Sequence, residues 1–229
     1  MRSLYNNCYV TADLIEQERD EIKKNVKAAE SEFRTALHAR VQDIQFRSMM
    51  VVDPLSDYVA NEARSADLVI TNMNRDSLFD QRDVNVGDLV MRVGRPVLIA
   101  PPALEALGLD RVVVGWKDTR EARRAVVDAL PFLKEAARVS IVEIADESGM
   151  VEARQRLKDV AAWLKRHGVA AESFATGEDT TQLNAIAAEQ KADLIVAGAY
   201  GHSRLREWAF GGVTRDILLH ADRCSLVSH

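Results

Sequence analysis

Four glycines near the end of the chain, and the residues between them, offer the clearest chemistry in this sequence. The apolar run 194–197 stops at Gly198, another glycine follows at Gly201, and the pair Gly211-Gly212 opens an apolar-faced segment reaching His220. Strand, glycine turn, polar loop, glycine turn and helix, in that order, suit the binding of an anion. Glycines let backbone N–H groups approach a phosphate closely, and a helix N-terminus adds its dipole at the same place. The same glycines also serve turns that need no ligand, because a residue without a Cβ reaches conformations that others avoid. His202, Arg204 and Arg206 either contact phosphate or form a solvated polar loop. Trp208 and Phe210 read as anchors of that loop rather than as stacking groups.

No Ser-His-Asp order, metal-ligand spacing or Walker lysine motif accompanies these glycines. Asp118, Glu143 and Asp146 fall at expected strand ends, where carboxylates are usually solvated. The chemistry expected is therefore binding, with hydrolysis at most slow. Composition narrows the partners. The chain has 229 residues and a formal net charge of −5, which argues against a broad basic surface for nucleic acid. No apolar run approaches the roughly 20 residues that span a bilayer. The opening MRSLYNNCYV lacks the basic-then-apolar layout of a secretory leader. Cys8 and Cys224 have no CxxC partner and read as reduced thiols of a cytoplasmic protein, with Cys224 a small core residue.

The elements that would position the glycines follow from periodicity. Residues 12–40 read as one helix, with Ile15, Ile22, Val26, Ala29, Phe33 and Leu37 on one stripe. A strand is expected within 43–52, a helix over 55–64 after Asp53-Pro54, a strand over 68–71, a helix over 84–93 and a strand over 96–100. Pro101-Pro102 and Gly108 mark a boundary, giving a first part of 1–103 and a second of 104–229. The second part alternates: strand 111–116, helix 119–134 with Pro131 bending or ending its last turn, strand 139–144, helix 151–167 ended by Gly168, strand 169–175 and helix 181–190. The glycine segment supplies the last strand and helix, and 225–227 the closing strand. This alternation predicts an α/β fold with an open parallel sheet covered by helices on both faces.

An internal repeat is visible. Ala66-Asp67-Leu68-Val69 answers Ala192-Asp193-Leu194-Ile195, and Gly94-Arg95-Pro96-Val97-Leu98-Ile99 answers Asp222-Arg223-Cys224-Ser225-Leu226-Val227. The second part has an additional strand–helix–strand unit, residues 111–145, where the first has only MRSLYNNCYVT. The first part reads as the second with its opening βαβ removed.

The segment GAYGHSRLREWAFGG, a G-x2-G-x9-G pattern, resembles the nucleotide-binding signature of universal stress proteins. GGVTRDILLHADRCSLVSH and VVVGWKDTREARRAVVDALPFL resemble, respectively, the closing and opening segments of their tandem bacterial members. The resemblance implies an open, Rossmann-like parallel sheet of order 3-2-1-4-5, with the first repeat lacking its opening βαβ, a dimer or pseudo-dimer, and ATP or ADP as ligand, with or without Mg²⁺. It places the ligand where strand order reverses, beyond the carboxyl ends of the strands. The residues it assigns there are Trp116, Lys117, Asp118 and Thr119 in one turn and Gly198, Gly201 and His202 in the other. Gly211, Gly212, Val213 and Thr214 then stand at a helix start, and Ile144 at the strand position near adenine.

Two positions depart from the family pattern. Gly212 stands where the family has Ser or Thr, and Lys117 stands at the adenine-side Asp unless the loop shifts to bring Asp118 there. These departures favour the alternative, an interaction scaffold that no longer binds nucleotide. A third reading, an adenylating enzyme on a related fold, lacks its phosphate loop, since WKDT offers no glycine. The first part has Asp83-Val84 in place of the glycine pair, so at most one nucleotide per chain is expected, in the second part. Losing the central strand of a repeat forfeits about 6–12 kcal/mol of burial, comparable to a whole domain's net stability. The first part is therefore expected to lean on the second part or on another chain, unless the true start lies upstream.

Overall fold

A computed structural model describes residues 3–38, 40–48, 54–72, 84–102, 104–177, 182–199 and 223–229. The chain separates into two compact units, Met1–Val52 and Asp53–His229. The first is built on α1 (Ser3–Leu37), which starts earlier than the stripe from Ile15 suggested. Lys23 pairs with Asp20 at 3.0 Å and Arg34 with Glu30 at 2.8 Å, the spacing at which helix neighbours meet. After the helix the chain turns so that Phe46 meets Phe33, ring centres 6.0 Å apart. No strand forms over 41–48, and residues 49–52, which hold most of the apolar run expected as a strand within 43–52, lie outside the described residues. A strand needs a neighbour to satisfy its backbone, and this segment pairs with none.

The second unit holds a single seven-stranded sheet. In chain order its elements are α2 (Leu55–Glu62), β1 (Val69–Asn72), α3 (Val86–Val93), β2 (Val97–Ala100), β3 (Arg111–Trp116), α4 (Arg120–Asp128), α5 (Leu130–Glu135), β4 (Arg138–Ile144), α6 (Met150–Arg166), β5 (Ala171–Thr176), α7 (Gln182–Glu189), β6 (Leu194–Gly198) and β7 (Cys224–Ser228). The helix expected over 119–134 is two. Pro131 falls in the first turn of α5, where a missing N–H costs nothing, and so a new helix starts there.

The strand order is β1-β2-β7-β6-β3-β4-β5. Its β5-β4-β3-β6-β7 portion is parallel throughout and has the order 3-2-1-4-5 within the second half. The whole sheet differs from the expected five parallel strands, because β2 joins β7 antiparallel and brings β1 with it. The exposed edge of β7 is thereby paired rather than left open.

One face carries α2, α3 and α7, whose Leu89, Val90, Leu183 and Ala187 pack on Val113, Val142, Ile195 and Val227. The other carries α4, α5 and α6, whose Ala122, Val126, Leu133, Leu157 and Leu164 pack on Val112, Val114, Ile141, Val196 and Leu226. The near-continuous apolar runs of β3 and β6 are what a strand covered on both faces requires. Cys224 is a buried free thiol in the second of these cores, and burial pushes its pKa up.

Candidate functional site

Strand β3 is the point where order reverses: β4 lies on one side of it and β6 on the other. Helix α4 leaves the end of β3 over one face, and α7 returns to β6 over the opposite face. Gly115 of β3 is level with Ala197 of β6. The turns after Trp116 and after Gly198 therefore start side by side, about 5 Å apart, the spacing of paired strands. Ile144 ends the neighbouring β4, one residue past Glu143, which is level with Trp116. Six of the residues expected at the site, Trp116, Lys117, Asp118, Thr119, Ile144 and Gly198, thus gather at one end of three adjacent strands. Gly201, His202, Gly211, Gly212, Val213 and Thr214 lie outside the described residues.

Each gathered residue has a definable local role. Thr119 caps α4: its hydroxyl accepts a hydrogen bond from Ala122 N at 3.2 Å. Asp118 is exposed and paired with Arg123 at 2.5 Å. Lys117 is exposed, with no ion-pair partner among the described residues. Gly198 is fixed by packing. A Cβ there would lie 2.4 Å from Ala122 N and 2.6 Å from Glu121 C, so only glycine lets the first turn of α4 close onto β6. Gly115 makes similar room, its missing Cβ replaced by the Leu183 side chain of α7.

The other carboxylates near this edge are engaged within the protein. Glu143, 3% exposed, takes two contacts from Arg156 Nε at 3.0 and 3.3 Å and one from its terminal nitrogen at 2.5 Å. That bond raises the Arg156 pKa further above its usual value. Asp146 accepts from Gly149 N at 2.6 Å and from the Ser148 hydroxyl at 2.9 Å, in that order of effect holding its pKa below the usual carboxylate range. Among the described residues no cluster of His, Cys, Asp or Glu could hold a metal ion.

What sequence reasoning missed is a set of unmade hydrogen bonds. Three buried side-chain polar atoms among the described residues have no partner: Trp116 Nε1 and both Asn184 Oδ1 and Nδ2. Trp116 ends β3, and Asn184 follows Leu183, the residue that covers Gly115. All three atoms therefore belong to the carboxyl end of β3, Trp116 on the α4 face and Asn184 on the α7 face. Such atoms are uncommon in native interiors and call for an explanation. The only sequence signal was an asparagine lodged between Leu183 and Ile186 on an otherwise apolar stripe. An open groove of about 620 Å³ does exist at the opposite end of these strands, lined by Arg111, Arg138, Ser140, Glu172 and Phe174. It faces the amino ends, where ligands of open α/β sheets do not usually bind.

The model of the universal stress protein family matches residues 108–227, which covers both turns and β3 through all but the last residue of β7. The chain belongs to the universal stress protein family. A universal stress protein from Archaeoglobus fulgidus has the same fold with a TM-score of 0.72, at 15% identity, over 91% of this chain and 77% of that one. A protein of unknown function from Pseudomonas aeruginosa gives a TM-score of 0.63 at 15% identity, over 88% of this chain and 77% of that one. A further universal stress protein, solved in complex with cAMP, is 24% identical over 52% of this chain and 96% of that one, with a TM-score of 0.45. No curated protein matches in sequence. As a universal stress protein the chain is an α/β protein with a mostly parallel sheet, and no described helix is long and apolar enough to cross a membrane.

Proposed function

We propose that this universal stress protein is a nucleotide-binding regulatory module of the stress response, taking one ATP or ADP per chain in its second half. In this reading residues 104–229 form a complete repeat, and residues 1–103 an incomplete one without a site of its own. What supports it most is that strand order reverses at β3, where the turns after Trp116 and after Gly198, the first glycine of the G-x2-G-x9-G pattern, start side by side. Backbone N–H groups of Gly211, Gly212, Val213 and Thr214 would take the phosphates at a helix start, with Gly201 and His202 beside them. Trp116 to Thr119 would form the opposite wall, and Ile144 would lie against the base. Lys117, exposed and without an ion-pair partner among the described residues, would meet phosphate negative charge. Asp118, Glu143 and Asp146 are already engaged by protein groups, so any Mg²⁺ would ride on the phosphates. Hydrolysis would be slow at most. A cytoplasmic location and a homodimer belong to the same proposal.

The second reading, a docking scaffold without nucleotide, is favoured by Gly212 and by the use of the Thr119 hydroxyl to cap its own helix. Titration calorimetry with ATP and Mg²⁺ separates the two. Saturable micromolar binding, abolished by Gly211→Val in a protein of unchanged melting temperature, is the outcome expected of the first. Absence of heat at millimolar ATP establishes the second. Gly198→Val is unsuited to this test, because its side chain would displace α4.

A further inference from the structure

Helix α1 carries an apolar seam that is narrow and open. Ile15, Arg19, Ile22, Val26, Ala29 and Phe33 recur at alternating steps of four and three residues. That is the seven-residue repeat of a coiled coil, with Arg19, Val26 and Phe33 at its a positions and Ile15, Ile22 and Ala29 at its d positions. Polar side chains flank it on both sides: Glu16, Lys23 and Glu30 at e, and Glu18, Asn25 and Glu32 at g. A helix seated on a sheet shows a broader stripe. Helix α6 does so, with Val160 and Ala161 side by side between Leu157 and Leu164 against one core. On α1 the seam meets solvent instead: Ile22 is 44% exposed, and Phe33, although it meets Phe46, is 39% exposed.

We propose that α1 pairs with α1 of a second copy of this chain, side by side and parallel, as a two-stranded coiled coil. Charge selects both the partner and the direction. In a parallel pair each g side chain reaches the e side chain five residues further on in the partner. Glu18 then meets the partner's Lys23, twice by symmetry, Asn25 meets the partner's Glu30, and no like charges pair along the flanks. Full antiparallel overlap sets e against e and g against g. It would place Glu16 opposite Glu30, Glu18 opposite Glu32 and Lys23 opposite its own copy, a repulsion at every charged flank position. Arg19 is the one charged residue within the seam, and the partner's Glu18 borders it. A single polar a position fixes register at some cost in stability, and a side chain as long as arginine reaches water beside a two-stranded seam. The contact of Lys23 with Asp20 of its own helix yields readily, because both side chains are 70% exposed. The seam shares no residue with the nucleotide site, so the inference stands apart from that reading and gives its homodimer a contact surface.

The test is sedimentation equilibrium of the full 229-residue chain at micromolar concentration, with melting temperatures recorded alongside. Wild type should sediment at twice the chain mass. Val26→Lys should be monomeric, with the melting of the sheet-bearing unit unchanged. Lys23→Glu should weaken the dimer about tenfold, since two attractions become repulsions, and Glu18→Lys combined with Lys23→Glu should restore it. Restoration is specific to pairing between chains, because residues five apart do not face each other on one helix. A monomeric wild type overturns the inference. So does a dimer that Val26→Lys leaves intact, which must be joined elsewhere. A lower melting temperature in Val26→Lys without a change of mass marks a seam covered within the chain and overturns it too. A dimer indifferent to Lys23→Glu, or not restored by the charge exchange, overturns the parallel pairing. ATP titration is read separately, so a monomer that binds ATP overturns this inference alone.

Discussion

Strands β1 and β2 with α3 between them, and strands β6 and β7 of the second half, are two versions of one pattern with different neighbours. Aligned by Ala66-Asp67 and Ala192-Asp193, their ladders have the same register. Val69 pairs with Val97 as Ile195 pairs with Ser225, and Asn72 with Ala100 as Gly198 with Ser228. Where the two segments meet, Val97 faces Val227, Leu98 faces Leu226 and Ile99 faces Ser225. In the alignment Val97 answers Ser225 and Ile99 answers Val227, so the junction is isologous and centred on the Leu98–Leu226 pair. The difference lies on the far side. Beyond β6 stands β3, with α4 seated over β6, and Val196 is fully buried. Beyond β1 no strand pairs among the described residues, and Ile70, the counterpart of Val196, is 65% exposed. Similar local sequence produces the same strands in both places, but only the added neighbours turn a strand end into one wall of a site.

The largest effect that would sharpen this contrast comes from the glycine position. Gly198→Val should cost about 3 kcal/mol or more in urea unfolding, because its side chain meets α4 backbone that cannot yield cheaply. Asn72→Ala, at the matching end of β1, should stay within about 0.5 kcal/mol. A cost below about 1 kcal/mol for the glycine variant would mean that α4 does not close on β6 in solution. A middling effect is expected from the paired aliphatic positions. Val196→Ala should lose about 2 kcal/mol and Ile70→Ala less than about 0.5 kcal/mol, by the same unfolding measurement. Equal losses would break the comparison, since they would require Ile70 to be covered.

The smallest effect concerns the contact that ties the two segments together. Arg124 of α4 donates to Gly94 O, at the end of α3, at 2.9 Å and to His229 O at 3.1 Å. Its side chain is half exposed, which limits what these bonds contribute. Arg124→Ala should lower stability by about 1 kcal/mol and raise amide exchange at the end of α3 before that of the β3–β4 core. Exchange rising evenly through the sheet would show that the bonds do not act locally.

Much of this architecture was readable residue by residue. The runs of β3 and β6 are near-continuously apolar, and helices α3, α4 and α6 keep their apolar positions on one face, so element type followed from period and run length. Pro131 shows what period alone leaves open: a proline that bends or ends one helix can equally begin the next. The site was half legible. Glycine spacing pointed to the turn after Gly198, and the turn after Trp116 came only with the strand order that the family resemblance implies, whereas the packing duty of Gly198, the capping duty of Thr119 and the unsatisfied Asn184 amide carry no sequence signature of their own.

The sequence by itself determined which segments are strands and helices, which of their faces are apolar, and that two stretches repeat, because these depend on side chains a few positions apart. Tertiary structure alone decided that β2 closes the edge of β7 antiparallel, that the ends of β3 and β6 stand side by side, and which polar atoms are left without partners. Those outcomes depend on contacts between residues tens of positions apart. Backbone pairing and close packing select among them only when the whole chain is assembled.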